Sequence, residues 1–316
     1  MRSDRYKKEE PIEEEPIKKE KKEKNKKINK KIEEEQEEKT PNRIVLFIKN
    51  FLITLVITVV LLFVYSHFIE PSLFKVNEYK IESANLPESF DGIKIVHITD
   101  THYGTTFSKK DFQKLIKEVE ELNPDIIFFT GDLIDKNIEI TEKEFTEISS
   151  ILKELSPSLN KYAVLGDEDN DKNKELLINS NFTILDNEYN LLHYKGTIPI
   201  EIVGFNNKNN DYSIIDNETI KAYDSIYKII LVHDPNQIDE ILNYNPDLIL
   251  CGHTLGGTIN IKGIKKIFTK NVKYDKSYYH INNTDIYISN GLGTSEYQIR
   301  INNIPSINFY RLYKTF

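Results

Sequence analysis

A chain of 316 residues has room for one or two domains, at about 100 to 200 residues each, and its 42 basic against 50 acidic residues leave a formal charge of −8. The N-terminal tail is slightly more basic than acidic, so the remainder is more acidic still, and nucleic-acid binding by that part is disfavoured for want of a basic phosphate footprint. Cys251 is the single cysteine, which excludes an internal disulfide; at the end of an apolar run it reads as a small buried hydrophobe, not a ligand or nucleophile.

Residues 1–43 are dominated by Lys and Glu, with almost no aromatic or branched apolar side chains. Such a segment buries too little surface to offset chain entropy, and it is expected to be disordered or transiently helical. A basic block, Lys18 to Lys31, precedes an acidic block, Glu33 to Glu38. The pattern fits a solvated spacer; its alternative is a tail that docks on anionic lipid or a cytoplasmic partner whose identity the sequence does not give.

Residues 44–69 follow as a transmembrane helix. Phe51 to Phe68 is apolar apart from Thr54, Thr58, Ser66 and His67, and with Ile44 to Ile48 it meets the roughly 20 residues a span needs. The charged leader is too long for a signal peptide and no small-x-small site follows, so the span is expected to stay uncleaved. Lys39, Arg43 and Lys49 precede it, whereas Glu70, Lys75, Glu78, Lys80 and Glu82 mix signs after it. The positive-inside rule then places the N-terminus in the cytoplasm and residues 70–316 outside, on a single-pass protein of the cell membrane.

Within 70–316 the pattern alternates strand and helix. Ile93 to Ile98 reads as a strand, and Ser108 can cap a helix carrying Phe112, Leu115, Ile116, Val119 and Leu122 at helical spacing, ending at Asn123-Pro124. Ile126 to Phe129 is the next strand, and this unit suits parallel neighbours in a covered α/β sheet. A helix from about Glu142 to Leu155 leads to the strand Tyr162 to Leu165. Asn181 to Leu192, Ile198 to Gly204, Ile229 to Val232, Leu248 to Leu250 and Ile286 to Ser289 complete the strands.

Three segments that close these strands carry the chemistry: Asp100-Thr101-His102, Gly131-Asp132-Leu133-Ile134-Asp135 and Gly252-His253-Thr254-Leu255-Gly256-Gly257. The carboxyl edge of an open α/β sheet is where ligands bind. Carboxylate with imidazole suits Mn, Fe or Zn better than a thiolate site would. Asp100 and His102, two apart in a turn, can reach one ion, whereas His97 alternates away from Asp100 and reads as structural. Asp135 reads as a residue that orients a neighbour or caps a turn.

The motifs also resemble a family. Phe90-Asp91-Gly92 and the run Ile93 to Gly104 resemble the opening strand and D-x-H motif of calcineurin-like metallophosphoesterases, in their membrane-linked bacterial branch. Asn123-Pro124-Asp125 into Gly131-Asp132 and Asp135 resembles their G-D-x-x-D motif, and Val232-His233-Asp234-Pro235 their isolated metal-binding histidine. Gly291 to Ser295 with Arg300, Asn302, Asn303 and Pro305 resembles their C-terminal signature. The resemblance implies an αββα sandwich around one or two divalent ions and hydrolysis of a phosphomonoester or phosphodiester by a metal-activated water. It implies Asp100, His102, Asp132, Asp167, His233 and His253 as metal ligands, with Asp132 shared between two ions. Asp132 and Glu168 are the implied catalytic positions.

Two motifs depart from the family. Where it has G-N-H this chain reads Gly166-Asp167-Glu168-Asp169, and where it has G-H-x-H this chain reads Gly252-His253-Thr254-Leu255. Asp167 can still ligate but offers no amide donor, and Glu168 donates a proton only if its pKa is raised. Leu255 removes a ligand from the first ion. Two functions therefore stand as expectations: a membrane-anchored phosphoesterase, with a membrane-proximal substrate favoured by the anchor, or a catalytically inactive binding or scaffolding module at the cell surface. The polar insertion Asn206 to Thr219 is expected to help form the substrate pocket.

Overall fold

The structure, a computed structural model, describes residues 15–39, 42–206, 226–263 and 272–315, which divide into two compact units between Leu61 and Leu62. Most of the pocket-forming insertion predicted above, from residue 207 on, lies outside the described residues.

In the first unit, helix α1 (Glu15–Lys39) occupies the charged tail, where the sequence suggests disorder or transient helix. Lys and Glu are straight-chain residues of good helix propensity, and pairs such as Lys30 Nζ to Glu34 Oε1 at 3.8 Å, one turn apart, add modest support. Residues 1–14 of the tail are outside the described residues. Helix α2 (Arg43–Val64) has no buried residue and is long and apolar enough to cross a membrane. At about 1.5 Å per residue it is roughly 33 Å long, matching a hydrocarbon core of about 30 Å.

The second unit is built on two six-stranded mixed sheets. The first has the order β1 (Lys75–Ser83), β12 (Ser306–Lys314), β2 (Lys94–Ile98), β3 (Ile126–Phe129), β4 (Asn160–Ala163), β5 (Thr183–Ile184). The second has the order β10 (Tyr278–Ile281), β11 (Thr284–Ile288), β9 (Leu248–Cys251), β8 (Lys228–Leu231), β7 (Ile200–Gly204), β6 (Glu188–Leu192). Strands β2 to β5 run parallel, as do β7, β8, β9 and β11, while β12 is antiparallel to β2. The single run expected from Asn181 to Leu192 is two strands in different sheets, β5 and β6. Asn187, with φ of 54°, makes the left-handed turn between them.

Alternation along the strands decides the layers. Ile95, Ile126, Phe128, Tyr162 and Val164 face Ile202, Ile229, Leu231, Leu248 and Leu250 across the inter-sheet core. The alternate residues Val96, Ile98, Ile127 and Phe129 pack on helices α3 (Lys109–Leu122), α4 (Glu142–Lys153) and α5 (Asp171–Asn179). Fully burying one such side chain contributes about 1.5–3 kcal/mol, so a one-residue slip in register would be costly. Outside the second sheet, Val203, Ile230, Ile249 and Ile286 meet Ile238 and Ile241 of the one-turn helix α6 (Ile238–Ile241). The expected αββα layering therefore has one layer of three helices on one side and, among the described residues, one short α-helix on the other.

Candidate metal centre

Strands β2, β3, β4, β8 and β9 end at one edge, and each releases its chain into a turn that carries a candidate ligand. Asp100, His102, Asp132 and His253 all have positive φ, at 52°, 39°, 57° and 68°. Non-glycine residues adopt this region sparingly, and its concentration here marks a backbone bent to aim side chains. The turns support one another: Asp100 N donates to Gly131 O at 2.9 Å, His102 N to Asp132 O at 3.0 Å, and Gly252 N to His233 O at 3.0 Å. Gly131 has φ of +98°, and a Cβ there would fall 2.4 Å from Gly166 N, so this crossing requires glycine.

The predicted ligands converge. His233 Nε2 lies 3.1 Å from Asp132 Oδ2 and 3.0 Å from Asp167 Oδ1, and His253 Nδ1 lies 3.1 Å from the same Asp167 oxygen. The two imidazole nitrogens are 3.2 Å apart. Beside this group, His102 Nε2 is 3.6 Å from Asp132 Oδ2 and 3.9 Å from Asp100 Oδ1. In each group the ligand atoms fall within 4.8 Å of one another, and Asp132 belongs to both.

The donor set fits divalent cations. His233 Nδ1 contacts Thr130 O at 2.7 Å, and since a carbonyl only accepts, Nδ1 carries hydrogen and leaves Nε2 to face the carboxylates. Burial alone would lower the His233 imidazole pKa, but Asp132, Asp167 and Asp100 outweigh it and the shift is well upward. His233 and His253 hold the Asp167 carboxyl far below its ordinary value, against the pull of burial. Buried Asp100, by contrast, is pushed up by desolvation, which with the help of Asp132 outweighs the opposing pull of His233. These carboxylates demand positive charge between them, which metal ions supply without protons.

The departing motifs have defined places. Glu168 Oε2 lies 3.2 Å from His102 Nδ1, and Oε1 lies 2.9 Å from Lys136 Nζ and accepts from Ser295 Oγ at 3.0 Å. Burial pushes its carboxyl up, but His102 and Lys136 prevail and hold it at about 2. Leu255 is buried with φ of 49°, and a Cβ on Gly291 would fall 2.8 Å from both its Cδ2 and Asp100 Cβ. An apolar side chain thus borders the Asp100 side of the centre.

Other residues resolve into support. Asp135 Oδ1 accepts from Asn137 N at 2.9 Å in a local turn, and Oδ2 is 4.0 Å from His102 Nδ1. His97 is fully buried against Thr130 Oγ1 at 2.8 Å, and desolvation lowers it to about 3, so it is neutral. Arg300 is buried with its guanidinium donating to the carbonyls of Asn290, Gly293 and Asn303. Sequence reasoning missed Asp169. Its buried carboxylate accepts from Asp132 N at 2.8 Å, Leu133 N at 3.0 Å, Gly166 N at 2.8 Å and Asn173 Nδ2 at 2.9 Å, fastening the Asp132 turn to the end of β4.

Comparison with known proteins decides the family: a model described as calcineurin-like phosphoesterase matches residues 93–257, which include every candidate ligand. The chain belongs to the calcineurin-like phosphoesterase family. The uncharacterized metallophosphoesterase YkuE of Bacillus subtilis is 30% identical over 261 residues, covering 79% of this chain and 90% of that one. An uncharacterized metallophosphoesterase of Aquifex aeolicus is 30% identical over 263 residues, covering 78% and 95%. The phosphodiesterase YaeI of Escherichia coli is 25% identical over 258 residues, covering 79% and 92%. Family membership and the clustered Asp and His side chains make this chain a metallophosphoesterase, a hydrolase acting on phosphoester bonds, with the donors for one or two divalent ions.

Proposed function

We propose that the chain is a membrane-anchored phosphoesterase that hydrolyses a phosphodiester or phosphomonoester with Mn, Fe or Zn. The observation that carries the reading is the meeting of His233 Nε2, His253 Nδ1 and an Asp167 oxygen within 3.2 Å of one another, with Asp132 alongside. Asp132, Asp167, His233 and His253 would hold one ion; Asp100, His102 and Asp132 would hold a second, weaker for lack of a ligand at Leu255. Ions bound there would lower the pKa of a water and offset charge on phosphoryl oxygens in an in-line displacement. Helix α2 would anchor the enzyme, with the N-terminus cytoplasmic and residues 70–316 outside.

The side chains divide the remaining work. The Thr130 carbonyl keeps the His233 tautomer fixed, and Asp169 keeps the Asp132 turn in place. Glu168 faces Nδ1 of His102 and steadies that ring, in the manner of a carboxylate behind a metal-bound imidazole. His102 and Lys136 hold the Glu168 carboxyl low, which favours a positioning role behind His102 over the acid role that the sequence allowed only for a raised pKa. Solvent at the open side, where Asp167 and His253 are partly exposed, would protonate the leaving oxygen.

A second reading, an inactive module of the same fold, draws on the same ionised Glu168 and on apolar Leu255. One experiment separates them. The full chain in detergent is assayed for bound metal and for hydrolysis of bis-p-nitrophenyl phosphate, beside Asp132→Ala. Bound metal with turnover that Asp132→Ala abolishes supports the enzyme; bound metal with no turnover supports the module.

A further inference from the structure

The segment just after helix α2 is bonded into the loop that borders the metal centre. Ser66 lies two residues beyond Val64, and its carbonyl accepts from Arg300 N at 2.8 Å. His67 Nδ1 is 2.5 Å from Gln298 O, and the buried Glu70 carboxylate accepts from Asn303 N. Lys75 N donates to Pro305 O at 3.0 Å. Residues 298–305 are therefore fastened, link by link, to residues 66–75.

The other end of that loop touches the centre. Leu292 N donates to Thr99 O at 3.1 Å, Gly293 N donates to Asp100 O at 2.7 Å, and Ser295 Oγ donates to Glu168 Oε1 at 3.0 Å. A Cβ on Gly293 would fall 1.9 Å from Thr101 O, so loop and ligand turn are in direct backbone contact. Two residues extend at most about 7 Å and five at most about 18 Å. By that bound the contact between Ser295 and Glu168 lies within roughly 30 Å of the last residue of α2, counted along the bonds themselves.

Large apolar side chains stand exposed along this frame. Phe68 is 63% and Tyr297 is 49% exposed, and Ile69, Leu73 and Ile304 are exposed as well. Each is a chain neighbour, within two residues, of a residue in the links above. A soluble surface has no need to expose such groups along one bonded frame, whereas the headgroup boundary of a bilayer accommodates them, aromatic rings especially.

We propose that residues 66–73 together with Tyr297 and Ile304 form a rim seated on the bilayer surface, so that the adjacent metal centre takes a phosphoester carried by a membrane lipid. The proposal rests on the phosphoesterase reading and names its substrate class. The frame ties the centre by short links to the segment that leaves the membrane helix, and the apolar rim accommodates the acyl end while the phosphoryl group enters between the ligands.

The test uses the full chain in phosphatidylcholine vesicles doped with phosphatidic acid and phosphatidylglycerol. The chain contains no Trp, so Tyr297→Trp supplies one reporter, read with lipids brominated along the acyl chain. Expected are a blue-shifted emission quenched by the brominated lipid, release of product from a doped lipid, and a fall of about tenfold in the ratio of lipid to bis-p-nitrophenyl phosphate turnover in Tyr297→Ser/Ile304→Ser. Turnover of the soluble diester with an unquenched reporter, or with no hydrolysis of either lipid, overturns the lipid assignment and leaves the phosphoesterase reading standing. Absence of all turnover, soluble and lipid, overturns both.

Discussion

His233 Nε2 and His253 Nδ1 face each other at 3.2 Å, and one oxygen of Asp167 touches both. Without metal, protons on these rings must offset the Asp167 and Asp132 carboxylates, whereas a bound cation beside the two nitrogens supplies that charge directly. Metal removal should therefore loosen the protein as well as stop it. A chelator-treated full chain should melt at lower temperature, and restoring Mn or Zn at about 100 times its Kd should return about 2.7 kcal/mol, read by thermal denaturation in detergent. Equal melting with and without metal would count against the site.

Leu255→His would place an imidazole beside Asp100 and return a ligand to the His102 group. The expected outcome is a rise in bound metal per chain toward two, measured by elemental analysis after dialysis, with hydrolysis of an aryl phosphodiester rising in step. An unchanged metal content would mean that the isobutyl group is an adaptation of the site and not a missing ligand.

Glu168 acts through His102, so its variants should separate positioning from acid catalysis. Glu168→Ala should weaken metal binding about 10- to 100-fold, while Glu168→Gln, which still offers an acceptor to Nδ1, should lose less. Titration calorimetry with Mn reads both. Were Glu168 a proton donor, both variants would bind metal normally and lose only turnover.

Asp169→Ala would leave the buried Asp132, Leu133 and Gly166 amides without their acceptor. Each unsatisfied group costs about 1–3 kcal/mol, so the variant should be destabilised by several kcal/mol in urea denaturation and bind metal poorly. Asp169→Asn, which keeps one acceptor oxygen, should be milder.

Much of this was legible in the sequence, and what was not has a common cause. The strand-end motifs gave Asp100, His102, Asp132, His233 and His253 because each motif is local, and the structure brings all five together with Asp167. Asp169 reads as one more acid in a run, since its partners arrive from the turn after β3 and from Asn173 on α5. The state of Glu168 was equally hidden: burial alone would push its carboxyl up, and only His102 and Lys136, from two other strand ends, reverse the sign. Strands β1 and β12, paired Lys75 to Ser306 through Ser83 to Lys314, join the two ends of the domain and carry no local signal of their partnership.

Lys161 gives a pH dependence away from the metal centre. Burial lowers its ammonium from 10.5 to about 8, although Nζ donates to Leu152 O at 3.0 Å and Leu155 O at 2.8 Å. Below about pH 8 both folded and unfolded chains carry the proton and stability is flat in this group. Between about 8 and 10.5 the unfolded chain binds more protons, so stability rises with pH. Urea midpoints across that range should rise for the natural protein relative to Lys161→Met; a parallel pair of curves would contradict the assignment.

The most direct test of the central claim is X-ray absorption at the edge of the metal bound to the purified full chain. Expected are a nitrogen and oxygen shell with imidazole scattering from His233 and His253, diminished in His233→Ala, and no sulfur contribution from buried Cys251. A chain that retains no Mn, Fe or Zn, or a spectrum with a thiolate shell, would contradict it.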